Sequence, residues 1–182
     1  MLLQEAEIEL AVPTTSIMPR LVAVNVSQGG IPRFPMGLAY VDRDGLRGDV
    51  RGHEKHRRPD RAVSLLDYEI ILQLVREGFR VWPGRMGENL TVIGLDVQNM
   101  QPSTRLKIDQ VVLQLEQPRK PCYVLDAIHP RLKDVVVGRC GYLASVIEPG
   151  IIEPGDMIRV RSQTVRDCPY FAVPGSRAPT GG

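Results

Sequence analysis

The chain has 182 residues, enough for one domain with a sizeable core. Its net charge of +2 is too small to indicate nucleic-acid binding by itself, and its hydrophobic content of 43% is ordinary for a globular protein. No apolar run approaches the roughly 20 residues that span a bilayer. The first residues are acidic, unlike a secretory signal, and three cysteines form no CxxC pair. We therefore expect a cytoplasmic protein without a membrane span.

The order of apolar residues predicts a β-rich domain with many turns, because 17 glycines and 15 prolines interrupt it. Strands are predicted at residues 8–12, 21–27, 37–41, 62–65, 105–108, 110–117, 142–147 and 157–161. One helix is predicted from Leu66 to Val75, with Asp67 as a possible cap and Gly78 as its terminator. Residues 32–37 are predicted to be a loop, 125–132 a helix broken by Pro130, and 147–156 two Pro-Gly turns. We expect one domain over residues 1–165 and a flexible tail over 166–182.

A basic segment over residues 47–61 has no apolar period and is predicted to be a surface loop. It carries six Lys or Arg residues against three acidic ones. A solvated loop is the simplest interpretation. Two functional alternatives remain: His53 and His56, with Asp49 and Asp60, could ligate a divalent metal, or the cations could bind an anion such as phosphate. We favour the anion, because guanidinium groups match phosphate oxygens.

A proline-bracketed cysteine follows the predicted strand at 110–117. The sequence is Gln117-Pro118-Arg119-Lys120-Pro121-Cys122-Tyr123. Pro118 and Pro121 end sheet pairing and stiffen the turn, and two adjacent cations favour the thiolate of Cys122. A thiolate is both a nucleophile and a soft metal ligand. The alternative is that Cys122 is a small buried apolar residue.

Six spaced motifs follow one another along the chain. They are Gly45-Leu46-x-Gly48-Asp49, His56-x-x-Pro59-Asp60-Arg61-Ala62-Val63, Gly87-Glu88-Asn89-Leu90, Gln117-Pro118-Arg119-x-Pro121-Cys122, Gly138-Arg139-x-Gly141-Tyr142 and Pro154-Gly155-Asp156-x-Ile158. Their order resembles the MOSC domain, the family named for the C-terminal domain of molybdenum cofactor sulfurase. They span residues 21–161 in the manner of the small stand-alone bacterial members. One departure is that Arg57-Arg58 stands where the family usually has Gly-Gly.

The resemblance implies a mainly β fold with a few helices, a MOSC-type β-barrel, that binds the molybdenum cofactor. Cys122 would be the molybdenum ligand and catalytic residue. The implied cofactor-binding residues are Lys55, His56, Arg61, Asn89 and Arg119. The implied reaction is a two-electron reduction of an N-hydroxylated compound to the amine. The scattered cysteines and the absence of a flavin or haem motif imply an external electron-donor protein.

Two other functions remain open at this stage. In the first, Cys122 holds a persulfide and the protein carries sulfur, as in related sulfurases, some of which bind pyridoxal phosphate. In the second, residues 47–61 bind a phosphate ligand or nucleic acid without catalysis, with steeply salt-dependent affinity. An aromatic content of only 5% makes nucleic acid the weaker partner, because few side chains can stack on bases.

Overall fold

The computed structural model describes residues 18–50 and 58–161. In chain order its strands and helices are β1 (Arg20–Val26), β2 (Phe34–Met36), β3 (Ala39–Asp42), β4 (Gly45–Leu46), β5 (Val63–Asp67), α1 (Tyr68–Arg76), β6 (Leu90–Ile93), β7 (Arg105–Ile108), β8 (Val111–Pro118), α2 (Leu132–Val135), β9 (Tyr142–Glu148), β10 (Gly150–Ile152) and β11 (Ile158–Arg161). Three 3-10 helices lie at Pro59–Arg61, Val97–Asn99 and Tyr123–Ala127. The described chain is thus mainly β with two α-helices.

Most of the strands form one eight-stranded sheet in the order β11-β7-β8-β9-β5-β6-β1-β2, and the order β10-β3-β4 gives a smaller sheet. β5 and β6 run parallel, with α1 in the connection, and the other neighbouring pairs run antiparallel. An isolated bridge joins Arg20 to Met157, and the amide of Gly155 donates to the carbonyl of Leu21 at 2.8 Å. These contacts link β1 to the chain before β11. In the larger sheet the two edge strands, β11 and β2, are not neighbours, so closure into a barrel stays a prediction.

The buried apolar residues form two clusters. The first joins strands of both sheets, with Val24, Leu113 and Ile152 among its members. The second lies under α1 and α2, and it includes Met86, Leu125 and Cys140. Those three residues belong to three different segments, namely the Gly-rich loop before β6, the turn after β8 and the chain before β9. The second cluster therefore brings together segments that are distant in sequence.

The longer alternating or apolar runs form strands as predicted. The differences from the prediction lie in strands of three residues. β1, β3, β7, β8, β9 and β11 confirm predicted strands to within one or two residues. β2 lies in the predicted loop at 32–37, and β10 lies among the predicted Pro-Gly turns. Both are three-residue strands that pair with a longer strand, so their own sequences carry no measurable period. The predicted broken helix is a 3-10 helix followed, after Pro130, by α2.

The start of α1 corrects the sequence prediction. Leu66 does not belong to the helix, because β5 continues through it and pairs it with Thr91. Asp67 occupies the N-cap position, but its side chain makes no capping hydrogen bond. Its Oδ1 instead accepts from the backbone amide of Val97 at 3.1 Å. The end of the helix is as predicted, since Gly78 adopts φ +93° and donates its N–H to the carbonyl of Val75.

Several predictions fall on residues that the structure does not describe. These are the strand at 8–12, the tail at 166–182, the outer limits of the domain at 1–165, and the central part of the basic loop with His53, Lys55 and His56. They stay predictions. None of the helices in the described ranges is long and apolar enough to cross a membrane.

Asp67 predicts a measurable dependence of stability on pH. The side chain is 2% exposed, and burial raises its pKa from 3.8 to about 6. The folded chain therefore holds a proton that the unfolded chain releases, so Asp67 should lower the free energy of unfolding by about 3 kcal/mol in total as pH rises from well below 3.8 to well above 6. Asp67→Asn should remove this fall. Urea unfolding across that range checks it.

The exposed Asp109 is a matched control, since Asp109→Asn should leave the pH profile of the wild type within about 0.5 kcal/mol. If Asp67→Asn and wild type fall in parallel between the two pH values, the buried carboxyl is not the cause.

Candidate functional site

Arg119 joins the three segments that the second apolar cluster brings together. Its backbone N–H donates to the carbonyl of Gly141 at 2.8 Å, which continues the pairing of β8 with β9 by one residue. Its Nη2 donates to the carbonyl of Met86 at 3.0 Å, in the Gly-rich loop before β6. Arg119 therefore fixes the turn after β8 against both other segments. We name these three segments, residues 84–89, 119–125 and 138–142, the motif junction.

Cys122 lies on the surface of the motif junction. Its backbone is extended, and its carbonyl accepts from the amide of Leu125 at 3.1 Å as the 3-10 helix begins. Leu125 is 2% exposed and packs in the second cluster, so the turn is anchored from below. The thiol itself is exposed. This excludes the alternative that Cys122 is a buried apolar residue and leaves the sulfur accessible to a ligand or a reactant.

Glu88 is a fully buried carboxyl at the motif junction that the sequence analysis did not single out as a site residue. Its Oε1 accepts from the amide of Gly84 at 2.6 Å and from Oγ1 of Thr91 at 3.0 Å. Burial raises the pKa of Glu88, and the positive charge of Arg119 partly offsets that rise. In the sequence, Glu88 was marked only by its place between a glycine and the first residues of a buried strand.

Two polar atoms of this pair have open hydrogen-bonding capacity. Oε2 of Glu88 and Nη1 of Arg119 are buried, and neither has a hydrogen-bond partner among the described residues. Buried polar atoms are nearly always paired, with protein, water or ligand. The open acceptor of Glu88 and the open donor of Arg119 each have room for a hydrogen bond with a water or a ligand.

Asn89 braces the loop from the other side. Its Oδ1 accepts from the N–H and the hydroxyl of Ser64, at 3.2 and 3.0 Å. Its Nδ2 donates to the carbonyl of Asn25 at 3.3 Å and to Oδ2 of Asp49 at 3.1 Å. Both polar atoms of the amide are thus engaged within the protein. The structure gives Asn89 a bracing position, while its predicted contact with cofactor stays a prediction.

Arg33 and Asp49 complete this brace. They form an ion pair in which the side chain of Asp49 is only 2% exposed, and the amide of Ser27 also donates to Asp49 at 2.9 Å. Nε of Arg33 donates to the carbonyl of Gly87 at 3.0 Å. The loop before β6 is therefore held by Arg33 on one carbonyl and by Arg119 on the preceding one.

Of the three basic-loop residues implied to bind the cofactor, Lys55, His56 and Arg61, the structure describes Arg61. It ends the 3-10 helix Pro59–Arg61, and its Nε lies 3.8 Å from Oδ2 of Asp60, beyond hydrogen-bonding distance. That Nε is buried and has no hydrogen-bond partner among residues 18–50 and 58–161. Lys55 and His56 lie outside these ranges. The described residues contain no group of three or more His, Cys, Asp or Glu side chains suited to a metal ion.

Cys140 is the second thiol at the motif junction. It is 1% exposed and packs in the second apolar cluster. Burial raises the pKa of its thiol, Arg119 opposes that rise, and the negative charges of Glu88 and Cys122 add to it. Both cysteines therefore belong to the motif junction, Cys122 exposed and Cys140 buried.

Comparison with known proteins places this arrangement in a family. A family model described as the MOSC domain matches residues 52–159. Protein YiiM of Escherichia coli (strain K12) is 31% identical over 176 residues, which cover 82% of this chain and 78% of YiiM. The uncharacterized protein YflK of Bacillus subtilis (strain 168) is 32% identical, covering 76% of this chain and 65% of YflK. The chain belongs to the MOSC domain family.

The solved structure of YiiM from Escherichia coli supports the same assignment, with a TM-score of 0.63 and 26% identity over 80% of this chain and 71% of YiiM.

Within this MOSC chain, the motif arginines have different surroundings. Arg139 donates to both carboxylate oxygens of Glu77 at 2.6 Å and to the carbonyl of Val135, which ties the end of α1 to α2. Arg58, at one of the two positions that depart from Gly-Gly, is exposed and donates to Asp60 at 3.1 Å.

The residues present fit the cofactor that the MOSC family implies. Arg119 and Arg61 each offer a buried N–H without a hydrogen-bond partner among the described residues, which suits a phosphate oxygen. Glu88 offers an open oxygen, which suits a donor N–H of a pterin ring, and Cys122 offers an exposed soft ligand. The fit rests on unpaired polar atoms and donor chemistry rather than on sequence alone.

The MOSC motif Gly138-Arg139-x-Gly141 provides a matched pair of substitutions. A Cβ at Gly141 would collide with the carbonyl oxygen of Leu65 in β5, whereas a Cβ at Gly138 would meet nothing within 4 Å. Both glycines have positive φ, +86° and +77°. Gly138→Ala should therefore cost about 1 kcal/mol in the free energy of unfolding, from backbone strain alone.

Gly141→Ala should cost more than about 2 kcal/mol, because the strand or the motif junction must move. Urea unfolding of both variants measures the difference. Equal losses would mean that the backbone of β5 does not constrain this position.

Proposed function

We propose that this MOSC-family protein binds the molybdenum cofactor and reduces N-hydroxylated compounds, with Cys122 as the metal ligand. The observation that carries the proposal is the exposed Cys122 thiol on an anchored turn, three residues from a guanidinium with a buried, unpartnered N–H. The cofactor bears a dithiolene and a terminal phosphate, so a protein thiolate and a cation meet its two chemical needs. The predicted barrel closure, the cytoplasmic location and an external electron-donor protein belong to this proposal.

Different residues of the chain would bind different parts of the cofactor. Cys122 would hold the metal, while Arg119 and Arg61, with the predicted Lys55 and His56, would bind the phosphate. Asn89 would keep the loop before β6 in place and, as predicted from the sequence, face the cofactor. When bound, the cofactor would supply the two-electron reduction that removes oxygen from the substrate.

Glu88 gives the site a group that can hold a proton. Its raised pKa favours the neutral carboxyl, and the unpaired Oε2 is the atom at which a proton has no competing hydrogen bond within the described residues. Reduction of an N-hydroxyl group to an amine and water consumes two protons for each pair of electrons. A buried acid beside the cofactor-binding arginine would supply one of them or donate a hydrogen bond to the pterin.

A sulfur carrier is the second candidate. The exposure of Cys122 favours it equally, because a persulfide must be reached by both a donor and an acceptor protein. Arg119 and Lys120 would stabilise the terminal sulfur anion as they would a metal-bound thiolate.

The first test is the molybdenum content of protein purified from a host that makes the cofactor, measured by mass spectrometry for wild type and Cys122→Ala. We expect close to stoichiometric molybdenum in the wild type and almost none in the variant, because the ligand sulfur is removed. The loaded wild type should then reduce an amidoxime when given a chemical electron donor. Folded wild-type protein without molybdenum, but with sulfane sulfur on Cys122, would favour the sulfur carrier.

Arg119→Ala should lower cofactor retention about tenfold or more, since a charge-assisted hydrogen bond contributes about 1.5–3 kcal/mol. Arg139→Ala is the matched control, because that guanidinium is already paired with Glu77 and should affect stability rather than retention. The readout is molybdenum content after dialysis, with circular dichroism to confirm folding. Equal retention in the two variants would remove Arg119 from the binding site.

A further inference from the structure

The two thiols of the motif junction lie on neighbouring stretches of chain. Pro118 and Tyr142 are partners in the pairing of β8 with β9, and the hydrogen bond from Arg119 to Gly141 continues that register. Arg119 is three residues before Cys122, and Gly141 directly follows Cys140. This hydrogen bond therefore holds the two cysteine-bearing stretches next to each other.

A second contact brings the two sites closer. The 3-10 helix that begins after Cys122 turns the chain toward the second apolar cluster, where Leu125 and Cys140 both pack. Because Leu125 is hydrogen-bonded to the carbonyl of Cys122, the Cys122 turn lies on the surface of the cluster that contains Cys140. A disulfide needs Cα atoms within about 7 Å, so the proposed reaction requires residues 120–123 to bring Cys122 within that range of Cys140.

We propose that Cys122 and Cys140 form a reversible disulfide when the protein meets a peroxide. The exposed Cys122 sulfur attacks a peroxide oxygen, so that an S–O bond forms, the O–O bond breaks and water leaves with the thiol proton. Cys122 is thereby oxidised to the sulfenic acid and the peroxide is reduced. The Cys140 sulfur then attacks the Cys122 sulfur, the S–S bond forms, the S–O bond breaks, and hydroxide leaves as water with the proton of Cys140.

Pairing with Cys140 would protect the exposed Cys122 thiol from irreversible oxidation. Without a second thiol, a sulfenic acid is open to further, irreversible oxidation, whereas a disulfide returns to two thiols when a dithiol reductant is present. Burial of Cys140 keeps it reduced until Cys122 has reacted, because the peroxide does not reach it. A further consequence, which rests on the proposed function, is that the disulfide would withdraw Cys122 from metal ligation.

The test uses the full chain without cofactor, in a Cys168→Ser background so that two cysteines remain. The reduced protein is treated with one equivalent of hydrogen peroxide, quenched with an alkylating reagent, and analysed by intact mass and peptide mapping. We expect loss of two hydrogens, a linked peptide pair containing Cys122 and Cys140, and full recovery with a dithiol. Molybdenum is not measured, so the result is independent of the proposed function.

Cys140→Ala in the same background is the matched control and keeps an apolar residue in the cluster. It should gain oxygen atoms on Cys122 instead of losing two hydrogens, and circular dichroism checks that it is folded. Cys122→Ala should stay unmodified, because Cys140 is buried. If the protein with both thiols gains oxygen to the same extent as Cys140→Ala and yields no linked peptide, the proposal is overturned.

Discussion

The site depends on the double attachment of Arg119. One backbone hydrogen bond to Gly141 and one side-chain hydrogen bond to Met86 fix three segments that are far apart in sequence. The first of these bonds forms only because Gly141 lacks a Cβ, since the backbone of β5 at Leu65 occupies the space where a side chain would begin. Cys122 inherits its position from this arrangement, being three residues along a proline-stiffened turn from Arg119.

The burial of Glu88 next to Arg119 is difficult to justify by folding alone. Burying a carboxyl group costs free energy, which is recovered only when its polar atoms are hydrogen-bonded. Here one oxygen of Glu88 and one nitrogen of Arg119 lack hydrogen-bond partners among the described residues. These two open atoms are the positions at which a water or a polar ligand would complete the hydrogen bonding.

The fold was predictable where a segment carries its own signal, and the site only in part. β8 alternates buried and half-exposed residues over much of its length, so its period is visible in the sequence. Leu66 satisfies both the helical spacing of α1 and the buried run of β5, and pairing with β6 decides between them. Glu88 was missed as a site residue because its significance depends on burial and on the neighbouring Arg119, which a local pattern does not contain. Asn89 was found by its motif, but its internal hydrogen bonds appear only in three dimensions.

The surroundings of Arg139 and Arg119 distinguish an arginine that stabilises the fold from one that has a nitrogen open for a ligand. Arg139 makes three hydrogen bonds, two of them to the carboxylate of Glu77, and these bonds tie α1 to α2. Arg119 spends one side-chain nitrogen on the carbonyl of Met86 and leaves Nη1 buried without a hydrogen-bond partner among the described residues. Both lie in family motifs, so sequence alone ranks them equally. The open donor gives Arg119 the capacity to bind a water or a ligand, whereas all three side-chain nitrogens of Arg139 are engaged within the protein.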